Sequence, residues 1–118
     1  MPQLTIRGVN ITEVMKISGA LVDELARICR CSKDNFTLDC LTTTTILDGA
    51  IVPTFPFVEV AWFDRGRETQ DNVANAITNH LLTTGIPEVE VAFKVYRETH
   101  YYANGQPFMV KAGPPVFD

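Results

Sequence analysis

The chain reads as one strand–helix–strand pattern written twice, with corresponding positions roughly 53–56 residues apart, the length of a single unit plus its linker. In the first copy, Leu4 and Ile6 alternate with Thr5 and Arg7 as a half-buried strand should. Asn10 followed by Glu13 resembles a capping box with Asn in place of the usual Ser or Thr. Val14, Ile17, Leu21, Leu25 and Ile28 then recur at helical spacing and form one apolar stripe. After a polar turn at 31–35, Phe36, Leu38 and Cys40 alternate with Thr37 and Asp39. They predict a long threonine-rich strand that ends at the turn signal Asp48-Gly49.

The second copy follows a break at 53–56. Val58, Val60 and Trp62 alternate with Phe57, Glu59 and Ala61, and Arg65-Gly66-Arg67 is the turn. Val73, Ile77 and Leu81, with Ala74 and Ala76, make the second helical stripe, which ends near Gly85. A last strand after Pro87 has Val89, Val91, Phe93 and Val95 on one face and Glu90, Ala92 and Lys94 on the other.

A strand, crossover helix and strand place the two strands of each unit in parallel with a right-handed crossover. The expected fold is α+β: two βαβ units sharing one four-stranded mixed sheet, with both helices on one face. The whole chain, 1–118, is read as a single domain with pseudo-repeats at about 2–48 and 56–97 and a C-terminal tail at 98–118. The other sheet face, with Thr5, Thr37, Thr42 to Thr45, Phe57 and Ala61, has no covering helix, and such a surface invites oligomerisation.

Size and charge narrow the function classes. A chain of 118 residues, 46% apolar and 20% charged, can bury a core as one domain. Its net charge of −4 opposes nucleic-acid binding, which needs a basic face to displace counterions. No apolar run approaches the roughly 20 residues of a membrane span, and no signal-like segment opens the chain, so a cytoplasmic location is expected. Cys29, Cys31 and Cys40 then read as reduced thiols. Cys29-Arg30-Cys31 is at most half of a zinc site, because His80 and His100 lie in other elements, so no metal is expected.

One residue carries potential chemistry before any comparison. Pro2 is a small second residue that permits removal of Met1, which would leave a secondary amine at the head of a strand. An α-amino group titrates near ~7.7–8.0, apolar walls lower that value, and a nearby carboxylate raises it. Such an amine can serve as general base, general acid or nucleophile. Met-Pro also opens chains in which the amine has no role.

The N-terminal proline on a doubled βαβ chain resembles the tautomerase superfamily, which includes 4-oxalocrotonate tautomerase (4-OT), macrophage migration inhibitory factor and malonate semialdehyde decarboxylase. Met1-Pro2-Gln3-Leu4, the run Phe57-Val58-Glu59-Val60-Ala61-Trp62-Phe63-Asp64-Arg65-Gly66, and Tyr101-Tyr102-Ala103-Asn104-Gly105 are similar to a small bacterial family of unassigned function within that superfamily. The resemblance implies a trimer with Pro2 at the floor of pockets near subunit boundaries. Arg65 and Arg67 resemble the paired arginines that hold a substrate carboxylate in the decarboxylase, and Asp34 falls where that enzyme has an aspartate assisting its proline. Lys33 lies near the position of a pocket lysine in migration inhibitory factor. Tyr101, Tyr102 and Asn104 fall where the superfamily places pocket residues from an adjacent subunit. Two departures stand against a direct 4-oxalocrotonate mechanism: the stretch after the first strand, 8–12, has no arginine, and none lies near Thr37.

Each candidate also has a structural reading. Arg65 and Arg67 fit a solvated turn as well as a guanidinium pair for a carboxylate. Asp34 fits a turn former, Tyr101 and Tyr102 fit packing of the C-terminal segment, and Asn104-Gly105 fits its turn. Two function classes follow. One is a cofactor-independent enzyme moving a proton on a small keto or enol carboxylic acid: Pro2 would be a base in tautomerisation, or an acid in decarboxylation or hydration if Asp34 keeps it protonated. The other is a non-catalytic oligomeric binding protein that keeps the fold.

Overall fold

The computed structural model describes residues 2–108, so the expected tail beyond 108 lies outside the described residues. The chain forms β1 (Gln3–Arg7), α1 (Ile11–Cys29), β2 (Thr37–Leu41), β3 (Thr45–Leu47), β4 (Ala50–Val52), β5 (Phe57–Phe63), α2 (Arg67–Leu82), β6 (Glu90–Tyr96), β7 (Tyr102–Ala103) and β8 (Gln106–Pro107). The main sheet has four strands in the order β2-β1-β5-β6. β1 runs parallel to β2, and β5 parallel to β6, as two crossover units require. The units join through antiparallel β1 and β5, in register Leu4↔Val60 and Ile6↔Val58.

Alternation decides which face the helices cover. Leu4, Ile6, Val58, Val60 and Trp62 are all buried, and they pack with Val14, Leu21 and Leu25 of α1 and Val73, Ile77 and Leu81 of α2 in one core. Removing a large apolar side chain from such a core costs roughly 2–5 kcal/mol. Asn10 caps α1 as expected, its Oδ1 accepting from the Thr12 N–H at 2.8 Å. The two helices are also tied by a polar contact, His80 Nε2 to Glu24 Oε1 at 2.8 Å.

Two expectations change. The long strand predicted from Phe36 to the Asp48-Gly49 turn stops at Leu41, and its distal part folds back as the β3–β4 hairpin. Asp48 and Gly49 both have positive φ, 51° and 77°, the geometry of a two-residue turn whose twist matches that of paired strands. The hairpin stands off the core, leaving Ile46, Leu47 and Ile51 at 67%, 67% and 78% exposure. Ala61, expected on the open face, is buried. Two residues along the same face, Phe63 packs against Tyr101 and Phe108 at centroid distances of 4.9 and 4.8 Å, so the segment after β6 closes over that end of the sheet.

Gly8 shows how tightly the halves are joined. Its φ is +79°, and a Cβ there would lie 2.7 Å from the carbonyl oxygen of Phe55 in the linker before β5. Both the conformation and the space exclude a side chain. Gly8→Ala should therefore lower unfolding stability by about 1–3 kcal/mol, measured by urea denaturation, with the m-value unchanged.

Candidate functional site

One end of the sheet gathers the chemistry. Because β1 and β2 begin where β5 and β6 finish, Pro2, the turn before β2 and the residues after Phe63 share that end. Each helix runs antiparallel to its strands, so α1 ends there and α2 starts there. Between these two helix ends lies a cleft of about 500 Å³. Ile28, Cys29 and Arg30 line it from the end of α1, Asp64 and Arg65 from the β5–α2 connection, and Glu68, Thr69 and Asn72 from α2.

Local backbone chemistry builds both walls. α1 closes with Arg30 in the left-handed region (φ 55°, ψ 47°). The Arg30 N–H donates to the Arg27 carbonyl at 3.3 Å and the Cys31 N–H to the Ala26 carbonyl at 3.1 Å, a Schellman ending. On the other wall Gly66 adopts φ 88° and ψ 162°, a combination essentially restricted to glycine. Asp64 Oδ1 accepts from the Gly66 N–H at 2.9 Å and braces the bend. Arg65, half-buried between these two residues, sets its guanidinium carbon 5.9 Å from the Trp62 ring centroid, within cation–π range. The Trp62 indole N–H is buried and meets no acceptor among the described residues.

The cleft mixes charge rather than concentrating it, with Arg30 and Arg65 facing Asp64 and Glu68. Arg30 suits the C-terminus of α1 and Glu68 the first turn of α2, whereas Arg65 stands just before the positive end of α2. Burial pushes the Cys29 thiol up to about 11, against the downward pull of the Arg65 guanidinium. Among the described residues, no group of three or more His, Cys, Asp or Glu side chains could hold a metal ion. No helix there is long and apolar enough to cross a membrane.

The expected site residues are distributed unevenly around this cleft. Pro2 is fully buried at the head of β1, its carbonyl accepting from the Thr37 N–H at 3.3 Å. Arg65 lines the cleft, whereas Arg67, the first residue of α2, is 84% exposed and pairs with Asp71 at 3.2 Å. Lys33 pairs with Asp23 at 3.2 Å on the surface. Asp34 is exposed in the short 3₁₀ turn Lys33–Asn35, its N–H donating to Ser32 Oγ. Tyr101 packs with Phe63, Tyr96 and Phe108, and Tyr102 is exposed on β7. Asn104, with φ 51°, turns β7 into β8 together with Gly105.

Sequence reasoning missed Arg30, Cys29, Thr69 and Asn72 as cleft residues. In sequence, Cys29-Arg30-Cys31 reads only as half of a metal motif, and nothing marks Thr69 or Asn72. No short-range pattern marks two helix ends that meet through a sheet. Cys29 supplies a direct check on the cleft's electrostatics. With its thiol near 11, iodoacetamide at pH 8 should leave Cys29 unmodified in the native protein and label it after urea unfolding, read by peptide mass spectrometry. Rapid native labelling would overturn that picture.

Comparison with known proteins places the chain. A crystal structure of a DUF1904 domain from Sebaldella termitidis ATCC 33386 is 33% identical, with a TM-score of 0.81, covering 89% of this chain and 97% of that one. A protein of unknown function from Vibrio cholerae O1 biovar eltor str. N16961 is 30% identical, with a TM-score of 0.78 and coverage of 90% and 86%. More distantly, a fused 4-OT in the form of an asymmetric trimer shares the fold at 14% identity and a TM-score of 0.72, covering 90% of this chain and 95% of that one. No curated protein matches the chain significantly. The fold is thus that of the tautomerase superfamily, and a family model matches residues 1–107: the chain belongs to the DUF1904 family, a domain of unknown function.

Proposed function

We propose that this protein is a cofactor-independent enzyme that moves a proton on a small keto or enol carboxylic acid, with Pro2 as the base once Met1 is removed. The observation that carries this reading is the burial of Pro2 at the head of a central strand, at the same sheet end as the Arg65 cleft. Burial disfavours the charged amine, and a guanidinium at the same sheet end acts in the same direction. A free Pro2 amine would thus be largely neutral near pH 7 and able to take a proton from the carbon beside a keto group. Arg65 would hold the substrate carboxylate through paired, charge-assisted hydrogen bonds.

The working unit in this reading is a homo-oligomer, with a trimer favoured. Exposed Ile46, Leu47 and Ile51 on the β3–β4 hairpin offer an apolar surface for another copy, and the fused 4-OT of the same fold is a trimer. Arg67, Lys33, Tyr102 and Asn104 are exposed on the single chain. In this reading Tyr102 and Asn104 complete a neighbouring copy's pocket, with Tyr101 setting the segment that presents them, and Arg67 and Lys33 add cations to the substrate site. The three thiols, none in a disulfide, suit a reducing cytoplasm.

Phenylpyruvate ketonisation by protein whose intact mass shows Met1 removed tests the reading. Replacing Pro2 by Ala should lower kcat/KM by about 100-fold, the usual scale of a lost general base. The pH profile separates the two roles of Pro2. A base is active only when unprotonated, so kcat/KM should rise with pH through a midpoint below the ordinary amine value of ~7.7. A profile that falls with rising pH would instead assign Pro2 the acid role, with Asp34 holding its proton. Unchanged activity in Pro2→Ala, or retention of Met1 in the cell, would overturn the amine chemistry and leave a binding role.

A further inference from the structure

We propose that Arg30 is a specificity-determining residue of the cleft, supplying together with Arg65 the two guanidinium groups that hold the ligand's carboxylate. The inference rests on the reading above, that the cleft takes a carboxylate, and assigns the second cation to α1.

Three observations lead to Arg30. First, it lines the same 500 Å³ cleft as Arg65 but from the opposite element, the end of α1 rather than the start of α2. Second, Lys33 pairs with Asp23 and Arg67 with Asp71 on the surface. Among the described residues no carboxylate stands in ion-pair range of Arg30, although Asp64 and Glu68 share its cleft. Asp64 is occupied by the Gly66 N–H, and Glu68 sits in the first turn of α2.

The third observation is the backbone. Arg30 holds φ 55° and ψ 47°, where glycine is the ordinary residue and asparagine the common substitute. The bonds that end the helix are made by the Arg30 and Cys31 N–H groups and need no side chain. A left-handed arginine therefore adds strain to the ending without improving it. What the position gains over glycine is a cationic side chain at the cleft wall. A guanidinium group on each wall would address a carboxylate from two sides, and an uncharged carbonyl or amide would lose that charge assistance.

The experiment compares Arg30→Gly, Arg30→Asn and Arg30→Lys with wild type, using Arg27→Gln, in the last turn of α1 outside the cleft, as the control for net charge. Binding of 3-phenylpropionate, a carboxylate with no keto group to enolise, is measured by titration calorimetry, alongside Tm and phenylpyruvate kinetics. Arg30→Gly should raise Tm by a few degrees because the strained position is relieved. It should also weaken 3-phenylpropionate binding at least fivefold and raise KM by a similar factor, with kcat within about twofold. Arg30→Asn should lose binding likewise, Arg30→Lys should recover part of it, and Arg27→Gln should match wild type.

Wild-type affinity and KM in Arg30→Gly with a raised Tm would overturn the proposal and leave Arg30 as a helix ending alone. Failure of the wild-type protein to bind 3-phenylpropionate at millimolar concentration would overturn it too. Wild-type protein that binds 3-phenylpropionate but does not turn over phenylpyruvate would overturn the proton-transfer reading, and the binding constants would then decide Arg30 by themselves.

Discussion

The antiparallel pairing of β1 with β5 is the contact on which the rest of the molecule depends. Each βαβ unit alone would offer two strands and one helix, too little apolar surface to offset the entropy of ordering its chain. Joined through Gln3↔Ala61 to Arg7↔Phe57, the two units build one sheet. Both right-handed crossovers then lie on the same side, and a single core closes between Leu4, Ile6, Val58 and Val60 and the two helices. Gly8 belongs to this constraint, because the backbone of Phe55 passes too close for any side chain where β1 ends and the linker to β5 arrives.

The same pairing sets the site. An antiparallel centre brings the start of one unit beside the finish of the other unit's first strand. The buried Pro2 and the Asp64-Arg65-Gly66 bend consequently occupy one end of the sheet. The ends of α1 and α2 meet there with opposite dipole signs, which suits Arg30 on one wall and Glu68 on the other. Its backbone is unusually committed, with Arg30 left-handed on one wall and Gly66 in a glycine-only conformation on the other. Strain held by surrounding hydrogen bonds at a cleft is an observation from which function can be argued, and it is why Arg30 merits a role beyond ending a helix.

Likeness of fold extends to the tautomerase superfamily, but a fold carries many chemistries, and the family to which the chain belongs is a domain of unknown function. The local chemistry of this chain is therefore what argues for a proton-transfer enzyme. What supports it is a strand that buries Pro2, with Arg65 at the same end of the sheet. The cleft is of mixed charge and carries a buried thiol on its wall. Exposed Lys33, Arg67 and Tyr102 belong to the outer surface of one chain, and their contribution depends on assembly.

Local patterns in the sequence were enough for the elements and their sides. Alternation at Leu4 and Ile6 or Val58, Val60 and Trp62, the 3.6-residue stripes, the Asn10 cap and the Asp48-Gly49 turn all act within a few residues, so they are legible without coordinates. The doubled period then sufficed for the topology, since right-handed crossovers leave few ways to join two units. Tertiary structure alone decided that the threonine-rich strand breaks after Leu41, and that Ala61 is buried. It alone separated Arg65, half-buried on the cleft wall, from Arg67, paired with Asp71 only two residues on. Arg30 was invisible for the same reason: its partner wall lies 34 residues further along the chain, counting to Asp64, and only the sheet brings those residues together.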